Sequence, residues 1–91
     1  MRAQQAAPPE RKVVKRVQPE YPMVLRSKGI GGTVKLEVTV TAGGTVKAVQ
    51  VLGGNAILAE SAQHAVRQWV FAAGERETKN TVVIEFNPET H

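Results

Sequence analysis

Ninety-one residues allow one domain with a thin core, since a chain this short buries only about 60% of its unfolded surface. The absence of cysteine excludes disulfides, thiolate metal sites and a cysteine nucleophile. The net charge of +4 sits in residues 1–28, where seven basic residues face two acidic ones; residues 29–91 carry five basic and six acidic.

The body therefore lacks a basic stripe, and it has few aromatics on which bases could stack, so nucleic acid is not an expected partner. No run approaches transmembrane length and no apolar stretch follows Met1. The expectation is either a cytoplasmic protein or a fragment of something longer.

Residues 1–16 mix Gln, Ala, Pro and charge with little apolar periodicity. They read as the end of a flexible, basic, proline-containing linker, with residues 1–17 as linker and 18–89 as the folded domain. Val13, Val14 and Val17 allow a short edge strand as the lesser alternative. In Gln18-Pro19-Glu20-Tyr21-Pro22 each proline biases its predecessor toward extended geometry. Pro22 then suits the first position of a short helix through Met23–Ser27, closed by Gly29.

The centre of the chain is a predicted hairpin. Val34, Leu36, Val38 and Val40 alternate with polar residues, the period-2 pattern of a half-buried strand. Ala42-Gly43-Gly44 makes the turn, and Thr45–Leu52 returns. A two-residue loop would set Val40 opposite Lys47. An odd-length loop of three residues, or its five-residue extension, sets Val40 opposite Val46 and Val38 opposite Ala48. The spacing thus predicts an odd loop with a glycine at positive φ. The apolar phase changes further along, where Val49 and Val51 flank Gln50, which predicts a β-bulge near Ala48-Val49.

Asn55 suits a helix N-cap. The helix is predicted from about Ala56 to about Phe71, with Leu58, Ala62, Ala65, Val66 and Trp69 on one stripe and Glu60, Gln63, Arg67 and Gln68 toward water. Glu75–Asn80 reads as a polar loop. Thr81–Phe86 is the last strand, with Val82, Ile84 and Phe86 on one face and Thr81, Val83 and Glu85 on the other. Asn87-Pro88 stops it.

These elements predict an α+β domain: a three-stranded antiparallel sheet of order 2-1-3, one long helix packed on one face, and a short N-terminal helix. The last strand lies at an edge, after a right-handed crossover. Tyr21, Val34, Leu36, Val38, Leu58, Val66 and Trp69 are the expected core.

Chemistry is hard to place on this frame. His64 is on the polar side of the helix, His91 is terminal, and neither has a partner at metal-ligand spacing. Ser61 lies close to His64 in sequence, yet no carboxylate is arranged to orient a base. The glycines fall in turns and form no phosphate loop. Trp69 reads as core before it reads as a binding platform. The final strand is different, being apolar and free of proline. Beyond an ordinary edge or a dimer contact, it suits docking of an extended peptide.

Taken together, Gln18-Pro19-Glu20-Tyr21-Pro22, Gly29-Ile30-Gly31-Gly32-Thr33-Val34, Ala42-Gly43-Gly44-Thr45-Val46, Val49-Gln50-Val51-Leu52, Ala65-Val66-Arg67-Gln68-Trp69-Val70-Phe71 and Val82-Val83-Ile84-Glu85-Phe86 resemble the C-terminal domain of TonB-family energy transducers. The resemblance spans residues 18–88. The chain departs from it at Ala72-Ala73-Gly74, where the family commonly has a proline, and at Gly53-Gly54-Asn55, where the family often has a Ser-rich turn.

The resemblance implies a non-enzymatic periplasmic domain without cofactor or metal. It implies a linker to an inner-membrane helix driven by the proton-powered ExbB/ExbD complex. The expected partner is the TonB box, a short extended segment of outer-membrane transporters for siderophores, vitamin B12 and similar cargo. It would dock beside the last strand, at Thr81, Val82, Val83, Ile84, Glu85 and Phe86, with Gln18 and Pro19 close by. Two alternatives are a TolA-type envelope tether and a self-assembling module whose edge strand pairs in a homodimer.

Overall fold

The computed structural model describes residues 11–89; residues 1–10, and with them most of the expected linker, lie outside the described residues. In chain order the elements are β1 (Val13–Lys15), α1 (Met23–Ser27), β2 (Gly32–Val40), β3 (Val46–Gly53), α2 (Ala56–Val66), β4 (Val70–Phe71) and β5 (Thr78–Phe86).

β2 is the centre of the sheet. A pleated strand sends every second side chain to one face, and Val34, Leu36, Val38 and Val40 are all fully buried there. β3 and β5 flank β2, each antiparallel to it, giving the order β3-β2-β5. This is the predicted α+β arrangement. Leu58, Ala59, Ala62 and Val66 of α2 close the apolar face, joined by Tyr21, Leu25, Trp69, Phe71 and Phe86. A second sheet, β1 with β4, is small.

The hairpin turn follows the odd-loop expectation. Val40 faces Val46, the Thr41 amide donates to the Thr45 carbonyl at 2.9 Å, and Gly44 has φ of +99°. A Cβ at Gly44 would fall 2.1 Å from the carbonyl oxygen of Phe71, so glycine is demanded by contact as well as by φ. The bulge is present but displaced. Register shifts between Val40↔Val46 and Thr39↔Ala48, leaving Lys47 as the extra residue, so Val38 faces Val49 and not Ala48. A second shift, at Leu52, lies between Leu36↔Val51 and Lys35↔Gly53. The first irregularity, at Lys47, lets Val46 pack against the core on the same face as Val49 and Val51.

Helix α1 ends as its sequence suggests. The Gly29 amide donates to Arg26 and the Ile30 amide to Leu25, at 3.0 and 2.8 Å, with Gly29 at φ of +71°. That pair of bonds is a Schellman closure. At the start of α2 the Asn55 side chain accepts from the amides of Ile57 and Leu58 at 2.8 and 3.1 Å, as its N-cap position predicts.

The end of α2 corrects the sequence reading. The helix stops at Val66, five residues before the predicted Phe71. Gln68 and Trp69 donate to Ala65 and Val66, three residues back, which tightens and closes the last turn. The residues that follow are aromatic and β-branched, weak helix formers, and Val70 and Phe71 instead pair with Lys15 and Val13. Trp69 is still buried. The loop predicted over Glu75–Asn80 is also shorter, because β5 begins at Thr78 and buries Asn80. The short strand allowed by Val13 and Val14 is formed as β1.

Candidate functional site

The sheet has two outer edges, and they differ. β3 carries two bulges, which twist and interrupt an edge and so discourage further pairing. β5 pairs with β2 over nine consecutive positions, Gly32↔Phe86 to Val40↔Thr78, without a shift. In the sheet it has a strand partner on one side only. Its regular backbone presents the better template for an added strand.

A groove follows that edge. Its upper part, a cavity of about 230 Å³, lies between Arg16–Pro19 and Trp69 on one side and Val83–Glu85 on the other. Its lower part, about 190 Å³, lies between Arg11, Val13, Arg16 and Phe71 on one side and Asn80–Val83 on the other. The two parts share Arg16, Trp69 and Val83. One wall is therefore the extended arm of residues 11–19, and the other is β5.

The arm stands where it does because of Trp69. Its indole Nε1 donates to the Val17 carbonyl at 2.7 Å, and the Arg16 guanidinium sits 4.7 Å above the ring. Pro19 then holds the backbone extended toward Tyr21, whose hydroxyl donates to the Ile30 carbonyl at 2.7 Å.

Of the residues singled out from sequence, Gln18, Pro19, Thr81, Val82, Val83, Ile84 and Glu85 all border this groove. Val83 points away from the core and is 59% exposed. Phe86 is placed differently: its ring packs edge-on against Tyr21, 5.3 Å between centroids, inside the core. Arg11, Arg16, Asn80 and the groove side of Trp69 were not legible beforehand. Arg16 stands two residues before Gln18 and so shares its side of an extended chain, a signal that could have drawn it in.

Ser61 and His64 border a separate open depression of about 580 Å³ between α2 and Gln18–Pro22. The Ser61 hydroxyl is committed to the Glu20 carbonyl. Among the described residues no group of three or more His, Asp or Glu could hold a metal. No helix among them is long and apolar enough to cross a membrane. The geometry offers backbone pairing beside a shallow, partly apolar cleft. That is recognition and not bond chemistry.

A family model described as the Gram-negative bacterial TonB protein C-terminal matches residues 17–88. The chain belongs to this family. Over 58 residues it is 41% identical to Protein TonB of Vibrio cholerae, covering 62% of this chain and 24% of that protein. Over 77 residues it is 33% identical to Protein TonB of Klebsiella aerogenes, covering 82% of this chain and 32% of that protein. The chain thus spans a quarter to a third of the length of these relatives.

Two solved TonB C-terminal domains share the fold. The solution NMR structure from Pseudomonas aeruginosa superposes with a TM-score of 0.76 at 24% identity, covering 88% of each chain. That from Helicobacter pylori gives 0.70 at 23% identity, covering 80% of this chain and 84% of the other. The TonB assignment takes precedence over the tether family considered from sequence.

Proposed function

We propose that this TonB C-terminal domain captures the TonB box of an outer-membrane transporter by taking it up as an added strand along β5. The observation that carries the reading is the groove. A nine-residue strand with regular pairing on its inner side faces the Gln18-Pro19 arm across a cleft open to an extended chain. In this reading the backbone of Thr81–Phe86 supplies the pairing, and Gln18, Pro19 and Val83 contact alternate side chains.

The energetics favour a reversible grip. Each new backbone hydrogen bond contributes about 0.5–1.5 kcal/mol net, while ordering each peptide residue costs about 1–2 kcal/mol. Backbone pairing alone therefore does not hold the peptide, and side-chain contacts with the arm decide affinity. Tension along the added strand would load its bonds together, so a modest affinity is compatible with transmitting force. The domain would lie in the periplasm and receive that force through a linker and inner-membrane helix from the proton-powered ExbB/ExbD complex, for uptake of siderophores, vitamin B12 or similar cargo.

The test is a series of TonB-box peptides, each N-methylated at one residue. An added antiparallel or parallel strand directs only alternate amides at β5. Affinity should fall at every second position and hold at the others. Equal losses at all positions, or at none, would overturn strand addition.

A further inference from the structure

One wall of the groove is a strand, held by nine pairs. The other is a short arm whose own ladder, β1 with β4, has two pairs and an irregularity between them. Trp69 holds the far end of the arm at Val17, and its start needs a tie of its own. Arg11, at the start of that arm, spreads its guanidinium over two loops, the hairpin turn and the connection between β4 and β5. Nη1 donates to the Thr41 carbonyl at 2.8 Å and to the Ala72 carbonyl at 3.1 Å, and Nη2 donates to the Arg76 carbonyl.

The backbone beside it is tied as well. The Arg11 amide approaches Asn80 Oδ1 of β5 at 3.4 Å, and the Lys12 carbonyl accepts from the Ala72 amide at 2.8 Å. Gly74 makes room for the guanidinium. A Cβ there would fall 2.9 Å from Arg11 Cζ and Nε, and the three nearest atoms all belong to that side chain.

We propose that Arg11 is a positioning residue of the docking groove, acting at the start of the arm as Trp69 acts at Val17. By joining the hairpin turn and both ends of the connection between β4 and β5 to the arm, it sets the separation between residues 11–19 and the outer edge of β5. It thereby sets the grip on whatever strand lies between them. This rests on the strand-docking reading above. The planar fork matters more than the charge, because a guanidinium offers donors in several fixed directions and an ammonium does not. Fixing the wall beforehand spares the incoming peptide the cost of ordering it.

The test compares four variants by two measurements: the affinity for a synthetic TonB-box peptide, and amide exchange at Ala72, whose N–H bonds to the arm. Arg11→Ala should weaken binding about tenfold and speed exchange at Ala72, while Leu36 and Val38 in the central strand keep their protection. Gly74→Ala should act the same way with the chain's charge unchanged. Arg11→Lys should recover little of the loss. In the Arg11→Ala background a Lys15→Cys/Val70→Cys disulfide, bridging a cross-strand pair in a chain without other cysteines, should restore affinity to within about twofold when oxidised and lose it when reduced.

An Arg11→Ala protein whose arm is released but whose affinity is unchanged would overturn the proposal. Full recovery by Arg11→Lys would also overturn it, by showing that charge alone is at work. A wild-type domain that binds no TonB-box peptide would remove the docking reading and this inference together, whereas wild-type and Arg11→Ala proteins binding equally would remove only this one.

Discussion

Trp69 Nε1 and the Val17 carbonyl, 52 positions apart in sequence, are joined by a 2.7 Å hydrogen bond. The bond ties the turn after α2 to the arm that walls the groove, and the same ring carries Arg16 on its face. Trp69 is 4% exposed, so one side chain serves the core and shapes the site. Trp69→Phe should retain most of the packing but orphan the Val17 carbonyl. The expected cost is about 1–3 kcal/mol in urea unfolding, with a further loss of peptide affinity that unfolding alone does not account for.

The hairpin turn gives a paired test of the two adjacent glycines. Gly44 sits at φ of +99° with a hypothetical Cβ 2.1 Å from the Phe71 carbonyl oxygen, whereas the nearest atom to one at Gly43 is Thr41 Oγ1 at 3.9 Å. Gly44→Ala should destabilise by about 2 kcal/mol or more, and Gly43→Ala by about 0.5 kcal/mol or less. Thermal melting separates them readily, since each kcal/mol moves the midpoint of a domain this size by about 4–8 °C.

Leu36 lies at the centre of the sheet between Val51 and Val82 and is fully buried. Leu36→Ala removes buried methyl groups and leaves a cavity, an expected cost of about 2–5 kcal/mol. Against the usual margin of about 5–15 kcal/mol this is a large share. The urea midpoint should fall with the slope of the transition kept, and peptide affinity of the folded fraction should not change.

The Lys47–Glu77 ion pair, 3.1 Å long, has both side chains about half exposed or more. Water screens such pairs, and holding two long side chains together costs entropy. Lys47→Ala should shift stability by less than about 0.5 kcal/mol, at low and high salt alike. A larger, salt-dependent loss would mean that the bulge at Lys47 depends on the pair.

The features legible in the sequence are those set by local periodicity. The alternation of Val34, Leu36, Val38 and Val40, the Asn55 cap and the Gly29 closure depend on neighbours within a turn or a strand, and each is found where its residues place it. The end of α2, at Val66, is not set by local periodicity. Trp69 continues the apolar helical stripe, but Val70 and Phe71 have a long-range alternative in β1 that no local pattern reveals. The same holds for the groove. Thr81–Glu85 stood out as an apolar edge strand, whereas Gln18 and Pro19 came from a resemblance, and the structure brings them to one cleft. Arg11 and Asn80 did not, because a basic residue beside a linker and a polar residue in an apparent loop read as solvated until the fold brings them together. The bulge was displaced by one residue, to Lys47, since the apolar phase change shows that a residue is extra without showing which one.

The most direct test of docking at β5 is an NMR titration of the isotope-labelled domain with TonB-box peptides, followed at the amides of Val82, Ile84 and Phe86 and at the Trp69 indole. Saturable shifts are expected along β5 and at the indole, which reports on the arm through Val17, with smaller changes along β3. Amides of β5 that stay still in a monomeric domain, or shifts centred on β3, would contradict it.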